Sequence, residues 1–341
     1  MTTSVLVTGG AGYIGSHTCK TLAAAGFLPV TIDNLSTGHR EFVKWGPLIE
    51  GDIHDTDLVA RAIQRHRVCG VIHFAANALV GESVLQPEKY YGNNFLGTFR
   101  LLEGMREANC EVIVFSSTCA VYGVPTTSLI DEDLSKNPIN PYGASKLFVE
   151  RMLSDYSAAY GLRFIALRYF NACGADASGE LGELREHETH LIPRALVSLL
   201  QSNSEFIVHG TDYPTPDGTA VRDYVHVTDL ADAHVSALQR LLTDGFSGVF
   251  NLGTGEGKSV REVLSTIERV TGRSVQAFNG PRRPGDPPML VADPARAISE
   301  LSFQAKRSDL ITIIKSAWAW HLRVAKGRKS ALSESTTSGQ G

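Results

Sequence analysis

Near its N-terminus the chain carries Thr8-Gly9-Gly10-Ala11-Gly12-Tyr13-Ile14-Gly15, directly after a short apolar run and directly before a helical pattern. Glycines at positions 9, 12 and 15 have no Cβ to obstruct a tight turn, a close approach of backbone to a ligand, or close packing of helix on strand. A helix starting there aims unpaired N–H groups and the positive end of its dipole at the turn, which suits a pyrophosphate. Alone, the spacing also describes a plain strand-to-helix turn.

The rest of the N-terminal half continues what this turn begins. Strand-like segments at Val5 to Thr8, Pro29 to Asp33, Val71 to Ala75, Val112 to Ser116 and Arg163 to Leu167 alternate with helical patterns. That alternation predicts an α/β chain, with a Rossmann-type doubly wound parallel sheet over residues 1–170. Further on, Gly174 to Glu188 is rich in glycine and charge, and Gly210 to Gly218 holds two prolines, as loops around a ligand do. A smaller α/β C-terminal substrate domain is expected over 171–325, with parts of 221–258 returning to the first domain. Helices are expected from Asp229 to Leu242 and from Ser259 to Thr271, and a loop from Pro281 to Pro288. The polar residues 326–341 read as a disordered tail.

With 43% apolar residues among 341, the chain has enough to bury an ordinary core. A net charge of -4 gives no general basic field for nucleic acid or anionic membrane, so phosphate contacts must be local. The five cysteines (Cys19, Cys69, Cys110, Cys119, Cys173) are scattered and form no C-x-x-C pair, which speaks against a disulfide framework or a zinc site. There is no leader pattern and no apolar run long enough to span a bilayer, so a cytoplasmic protein is expected.

The second strand ends at Asp33-Asn34, where a carboxylate can accept from the hydroxyls of an adenosine ribose and repel a 2′-phosphate, favouring NAD over NADP. Asp52 suits a place over the adenine, or a cap on a helix from His54 to Arg67. Downstream, Tyr142-Gly143-Ala144-Ser145-Lys146 sets a phenol and an ammonium at i and i+4, on one helix face behind Pro141. A tyrosine titrates near pH 10, so to act as a base it needs a nearby positive charge, here Lys146 and an oxidised nicotinamide. Taken singly, Y-x-x-x-K is compatible with packing plus a solvated lysine. His187-Glu188-Thr189-His190 does not have the H-E-x-x-H spacing and shows no helix and no acidic third ligand, so no metal is expected. The other histidines read as caps or core residues.

From Val5 to about His321 the sequence resembles the extended short-chain dehydrogenase/reductase superfamily and, within it, the UDP-sugar 4-epimerases. The matching stretches are TGGAGYIGSHT (8–18), VIHFAA (71–76), FSSTCAVYG (115–123), NPYGASK (140–146), RYFNACGA (168–175), GTAVRDYVHVTDLADAHV (218–235), NLGTG (251–255) and PRRPGD (281–286). The resemblance implies Tyr142 as general base, Lys146 on the nicotinamide ribose, and Thr118 on the sugar 4-hydroxyl. It implies NAD held by Gly9, Gly12, Tyr13, Ile14, Gly15, Asp33, Asn34, Asp52, Ile53, Phe74, Ala75, Ala76, Asn93, Ser116 and Phe170 together with the catalytic pair. For the UDP-sugar it implies Asn171, His190, Leu191 and Leu290, with Arg222 and Arg283 on the phosphates and Asp286 on the uridine ribose. For Arg222, an ion pair with Asp223 or Asp229 is the structural alternative.

The expected reaction is 4-epimerisation of UDP-glucose and UDP-galactose through a transient 4-keto sugar. Three departures stand out: Ala78 where some relatives have a lysine near the cofactor phosphates, His209 in place of an aromatic residue near the uracil, and Leu290 in place of a tyrosine. The last leaves room for an N-acetyl group on the sugar. A 4-epimerase of a pentose or uronate nucleotide is an alternative. A 4,6-dehydratase would need acids directly after Thr118, where Cys119 and Ala120 stand, and a non-catalytic NAD sensor would not be expected to keep Tyr142, Lys146 and the arginines. The resemblance also implies a homodimer through helices near Pro87 to Ala108 and Gly143 to Tyr160.

Overall fold

The computed structural model describes residues 2–186, 188–201, 205–283 and 286–337, with side chains to residue 327. The first half runs β1 (Ser4–Thr8), α1 (Tyr13–Ala24), β2 (Leu28–Asp33), β3 (Leu48–Glu50), α2 (Thr56–His66), β4 (Val68–His73), α3 (Val80–Leu85), α4 (Pro87–Tyr90), α5 (Gly97–Glu107), β5 (Val112–Thr118), α6 (Pro141–Tyr160) and β6 (Arg163–Tyr169). The second half runs β7 (Asn171–Cys173), α7 (Leu191–Ser198), β8 (Phe206–His209), β9 (Val221–His226), α8 (Val227–Asp244), β10 (Gly248–Leu252), β11 (Gly257–Ser259), α9 (Val260–Thr271), β12 (Ala277–Gly280), β13 (Met289–Leu290), α10 (Ala295–Leu301) and α11 (Leu310–Thr337).

Seven parallel strands form the main sheet in the order β10-β6-β5-β4-β1-β2-β3. Alternation along each strand divides its side chains between two cores. Val5, Val7, Val112 and Val114 face one side with α8 residues such as Leu230 and Leu238. Leu6, Ile113 and Phe115 face the other with Val59 and Ile63 of α2, Leu101 of α5 and Val149 of α6. All these side chains are buried; each contributes about 1.5–3 kcal/mol of transfer free energy. The order reverses between β1 and β4, which opens a crevice at the carboxyl ends of the strands.

The chain returns to this sheet late: β10 pairs with β6 and α8 packs on α1. Strands β7, β9, β11 and β13 make a small second sheet, and β8 pairs with β12. Around them Ile192, Leu196, Phe206, Val263 and Ile313 form a separate core. The expectation for 326–341 needs correction, because α11 continues through Lys326 to Thr337. Alanine, lysine, arginine and leucine are strong helix formers, and an existing helix spares them the nucleation cost. Residues 338–341 lie outside the described residues.

Local signals explain the long helix α6. Asn140 caps it by accepting from the Gly143 N–H at 2.8 Å, Pro141 occupies its first position, and Gly161 ends it at φ 74°. Its inner face carries Glu150, whose carboxylate receives Nε and Nη2 of Arg168 at 2.9 and 2.6 Å. Arg168 Nη1 also donates to the Tyr122 hydroxyl at 2.8 Å, which donates onward to Asn251 at 2.7 Å. This buried network joins α6, β6 and β10. Arg168→Met strands the Glu150 carboxylate and should cost about 3–5 kcal/mol. A double change of Arg168 and Glu150 to Met should cost clearly less. Urea denaturation of both variants checks this; a single variant as stable as the parent would contradict it.

Candidate active site

A cavity of about 540 Å³ runs along the carboxyl ends of the strands and into the second sheet. All the site residues expected from the sequence line it except Arg283, which lies outside beside His209, whose imidazole pKa is lowered first by burial and then by Arg283.

At one end lies the glycine turn. Gly9 has φ 71°, and a Cβ there would come within 2.7 Å of the Ala75 nitrogen; a Cβ on Gly15 would meet the Gly9 carbonyl at 2.2 Å. Helix α1 is capped by Gly12 without a side-chain bond and has no acid in its first turn, so its amide hydrogens face an anion unopposed. The Asp33 carboxylate accepts from the N–H groups of Ala11 at 3.0 Å and Leu35 at 2.8 Å. It retains acceptor capacity for ribose hydroxyls. Burial raises its pKa, against these two backbone donors. Asp52 accepts from Asn34 Nδ2 at 2.8 Å and the His54 N–H at 2.9 Å. It is not the cap of α2; that cap is Asp55, which accepts from Leu58 N–H at 2.8 Å. The Cβ-free cradle, the helix start without a side-chain cap and Asp33 together fit a dinucleotide.

The centre is built from β5 and α6. Thr118 ends β5 opposite Tyr169 of β6. The Lys146 ammonium donates to the Ser116 carbonyl at 2.8 Å and sits 4.9 Å from the centre of the Phe115 ring. Burial lowers the pKa of Lys146 to about 7, against the pull of Glu150. Tyr142 is pushed well up by burial, then by Tyr169, with Thr118 acting in the opposite sense. In this arrangement burial dominates the phenol, and the Lys146 ammonium is engaged with a carbonyl. Behind the pair, His73 links Thr8 at 2.6 Å to Thr98 at 2.8 Å, and burial lowers its pKa to about 3. Asn93 lies in a wider π-helical turn, Tyr91–Leu96, between α4 and α5.

At the far end Arg222 pairs with Asp286 at 3.2 Å, and its neighbour in register is Leu290. The ion pair of Arg222 is thus with Asp286, while Asp223 accepts from Thr254, Gly255 and Ala292, and Asp229 from Arg307 and Ser308. His226 caps α8 by accepting from Thr228 N–H at 3.1 Å, one of the expected histidine caps. All five cysteines are free.

Sequence reasoning missed Arg185, which lines the cavity, and Glu183 behind it. The structure also gives His190 an acidic partner, Glu183, that the local spacing did not offer. Glu183, Glu188 and His190 bring ligand atoms within 4.8 Å of one another. However, Oε1 of Glu183 is already bonded to His190 Nδ1 at 2.6 Å and Arg185 Nε at 2.9 Å. His187 lies outside the described residues.

The chain belongs to the NAD dependent epimerase/dehydratase family, whose model matches residues 5–253. Among its relatives is the UDP-glucose 4-epimerase of Rhizobium meliloti (strain 1021), 50% identical over 95% of this chain and 98% of that protein. Its fold matches the UDP-glucose 4-epimerase from Brucella ovis in complex with NAD, with TM-score 0.90 and 53% identity over 93% of this chain and 98% of the other. The Bifidobacterium longum UDP-glucose 4-epimerase, in complex with NAD+ and UDP, matches with TM-score 0.89 and 38% identity over 94% and 98%.

Lys146 gives a pH prediction for protein stripped of dinucleotide. Its folded pKa of about 7 lies below the ordinary 10.5, so above pH 7 the unfolded chain holds a proton that the folded one has released. Stability from this group therefore rises with pH between about 7 and 8.5, before unfolded thiols and phenols ionise. Lys146→Met should flatten that rise relative to the parent in urea titrations at each pH. Equal slopes in the two proteins would contradict it.

Proposed function

We propose that this protein interconverts UDP-glucose and UDP-galactose by reversible oxidation at C4, with NAD retained between turnovers. The observation that carries the reading is the convergence of Thr118, Tyr142 and Lys146 in one cavity that continues from the glycine turn to Arg222. Bound NAD would supply a hydride acceptor that returns what it takes. Thr118 and Tyr142 would hold the sugar 4-hydroxyl, and Tyr142 would take its proton as the ketone forms. Lys146 would orient the nicotinamide ribose. Arg222 would anchor the nucleotide diphosphate, leaving Asp286 to the ribose. With binding energy concentrated on the nucleotide, the sugar can turn and present its other face.

A dehydratase reading finds no support here. The acids lining the cavity are Asp33, Asp52, Glu82 and Asp286, and the residues after Thr118 are Cys119 and Ala120. Tyr142→Phe should lose about 10²–10⁴-fold in turnover of UDP-galactose while retaining bound NAD. A variant with parental turnover would overturn the role of the phenol.

The same reading extends to a homodimer. Val84, Leu85, Phe95, Leu96, Phe148 and Tyr160 are exposed apolar side chains on α3, the π-helical turn and α6, at 36–81% of their full surface. Tyr91 and Phe95 each lie 6.1 Å from Phe148. A rigid aromatic patch of this kind suits a self-complementary contact. Sedimentation should give a dimer for the parent and a monomer for Phe148→Asp; a monomeric parent would refute the assembly.

A further inference from the structure

We propose that Lys20 is a positioning residue: from α1 it latches the segment 174–184, and through it the substrate wall of the cavity, onto the helix that begins at the cofactor turn. The inference rests on the functional reading above and adds to it a residue outside the cavity lining that sets substrate affinity.

The segment joins two parts of that wall. Asn171 before it and Arg185 and His190 after it line the cavity, whereas residues 174–184 do not. They fold into a tight hairpin in which Ala175 bridges Gly182, the Asp176 N–H donates to the Leu181 carbonyl at 3.0 Å, and Gly179 turns the chain at φ 71°. The Asp176 carboxylate holds the turn by accepting from the Ser178 N–H at 3.1 Å.

Helix α1 offers this hairpin a single face, since Tyr13, His17 and Lys20 stand at i, i+4 and i+7. Tyr13, which lines the cofactor end, donates its hydroxyl to the Gly174 carbonyl at 2.6 Å. Two turns further on, Lys20 Nζ donates to Asp176 Oδ2 at 2.9 Å, Ser178 Oγ at 2.9 Å and Glu180 Oε2 at 2.7 Å. All three donors of the ammonium are thereby used. The Lys20 and Asp176 side chains are 28% and 12% exposed, so this pair is less screened than one on the open surface. Burial works against the ammonium, but Glu180 and Asp176 outweigh it and raise its pKa above the ordinary 10.5, which keeps the latch charged at neutral pH.

The other side of the hairpin is gripped by α11. Trp320 packs so closely on Gly182 that a Cβ would not fit there, and its Nε1 donates to the Glu183 carbonyl at 2.8 Å. Arg323 Nη1 donates to the Gly179 carbonyl at 2.9 Å. That grip falls on main chain and an apolar surface, so without Lys20 the hairpin keeps its shape and loses its charged tie to α1. Thr118, Tyr142 and Lys146 stand on other elements, β5 and α6. Loosening the hairpin therefore changes how tightly the substrate is held and not the chemical step.

Steady-state kinetics of the holoprotein with UDP-galactose test the latch. Lys20→Met should raise KM about fivefold, leave kcat within about twofold of the parent and retain bound NAD. Lys20→Arg should keep the parental KM, since a guanidinium serves the same carboxylates. Asp176 also holds the turn, so Glu180 is the partner for a charge exchange. Lys20→Glu should raise KM more than Lys20→Met does, and Glu180→Lys added to it should recover part of the loss. A general loss of stability would not be recovered in this way. Parental KM in Lys20→Met, or a fall in kcat or in NAD retention in place of the rise in KM, overturns the positioning role and leaves the function standing. A parent that turns over no UDP-sugar refutes both.

Discussion

A buried ammonium resting on a main-chain carbonyl fixes the chemical centre of this protein. Lys146 reaches the Ser116 carbonyl only because α6 lies across the end of β5, and α6 lies there because its cap, its first-turn proline and its buried Glu150 all specify the same placement. Desolvation at this point costs charge, as the lowered lysine and raised tyrosine both record. A cationic ring entering such a site would favour the phenolate of Tyr142 and disfavour the ammonium of Lys146, so cofactor binding and protonation are coupled there.

The sheet topology decides what can reach that centre. Reversal of strand order between β1 and β4 leaves the crevice, and the glycine turn lets a dinucleotide backbone lie close to the strand ends. Return of α8 and β10 to the main sheet ties the two halves covalently and by packing, so the second sheet forms the far wall of the same cavity. Arg222 and Leu290, adjacent in register, line that wall.

What was legible in the sequence was what local chemistry determines. Gly12 and Gly15 are forced by contacts within a few residues, Gly9 by its own positive φ as well as by the distant Ala75, Asp33 by its place at a strand end, and Tyr142 and Lys146 by one helical turn. Glu183 and Arg185 sit on a loop tied to α1 through Lys20 and to α11 through Trp320, and the small sheet pairs strands far apart in the chain; no periodicity or spacing announces either. The role of Arg283 came only from the resemblance, because no local pattern specifies the course of its loop, and it lies outside the cavity lining. The extension of α11 past Lys326 was obscured because a polar composition resembles a tail until a helix already precedes it.

On the proposed mechanism one cofactor molecule takes the C4 hydride and gives it back to the opposite face of the same sugar. UDP-galactose carrying deuterium at C4, turned over by the holoprotein in ordinary water, tests it directly. The label should be recovered quantitatively at C4 of UDP-glucose, with no free NADH. Loss of the label to solvent, or its appearance in released NADH, would contradict the claim.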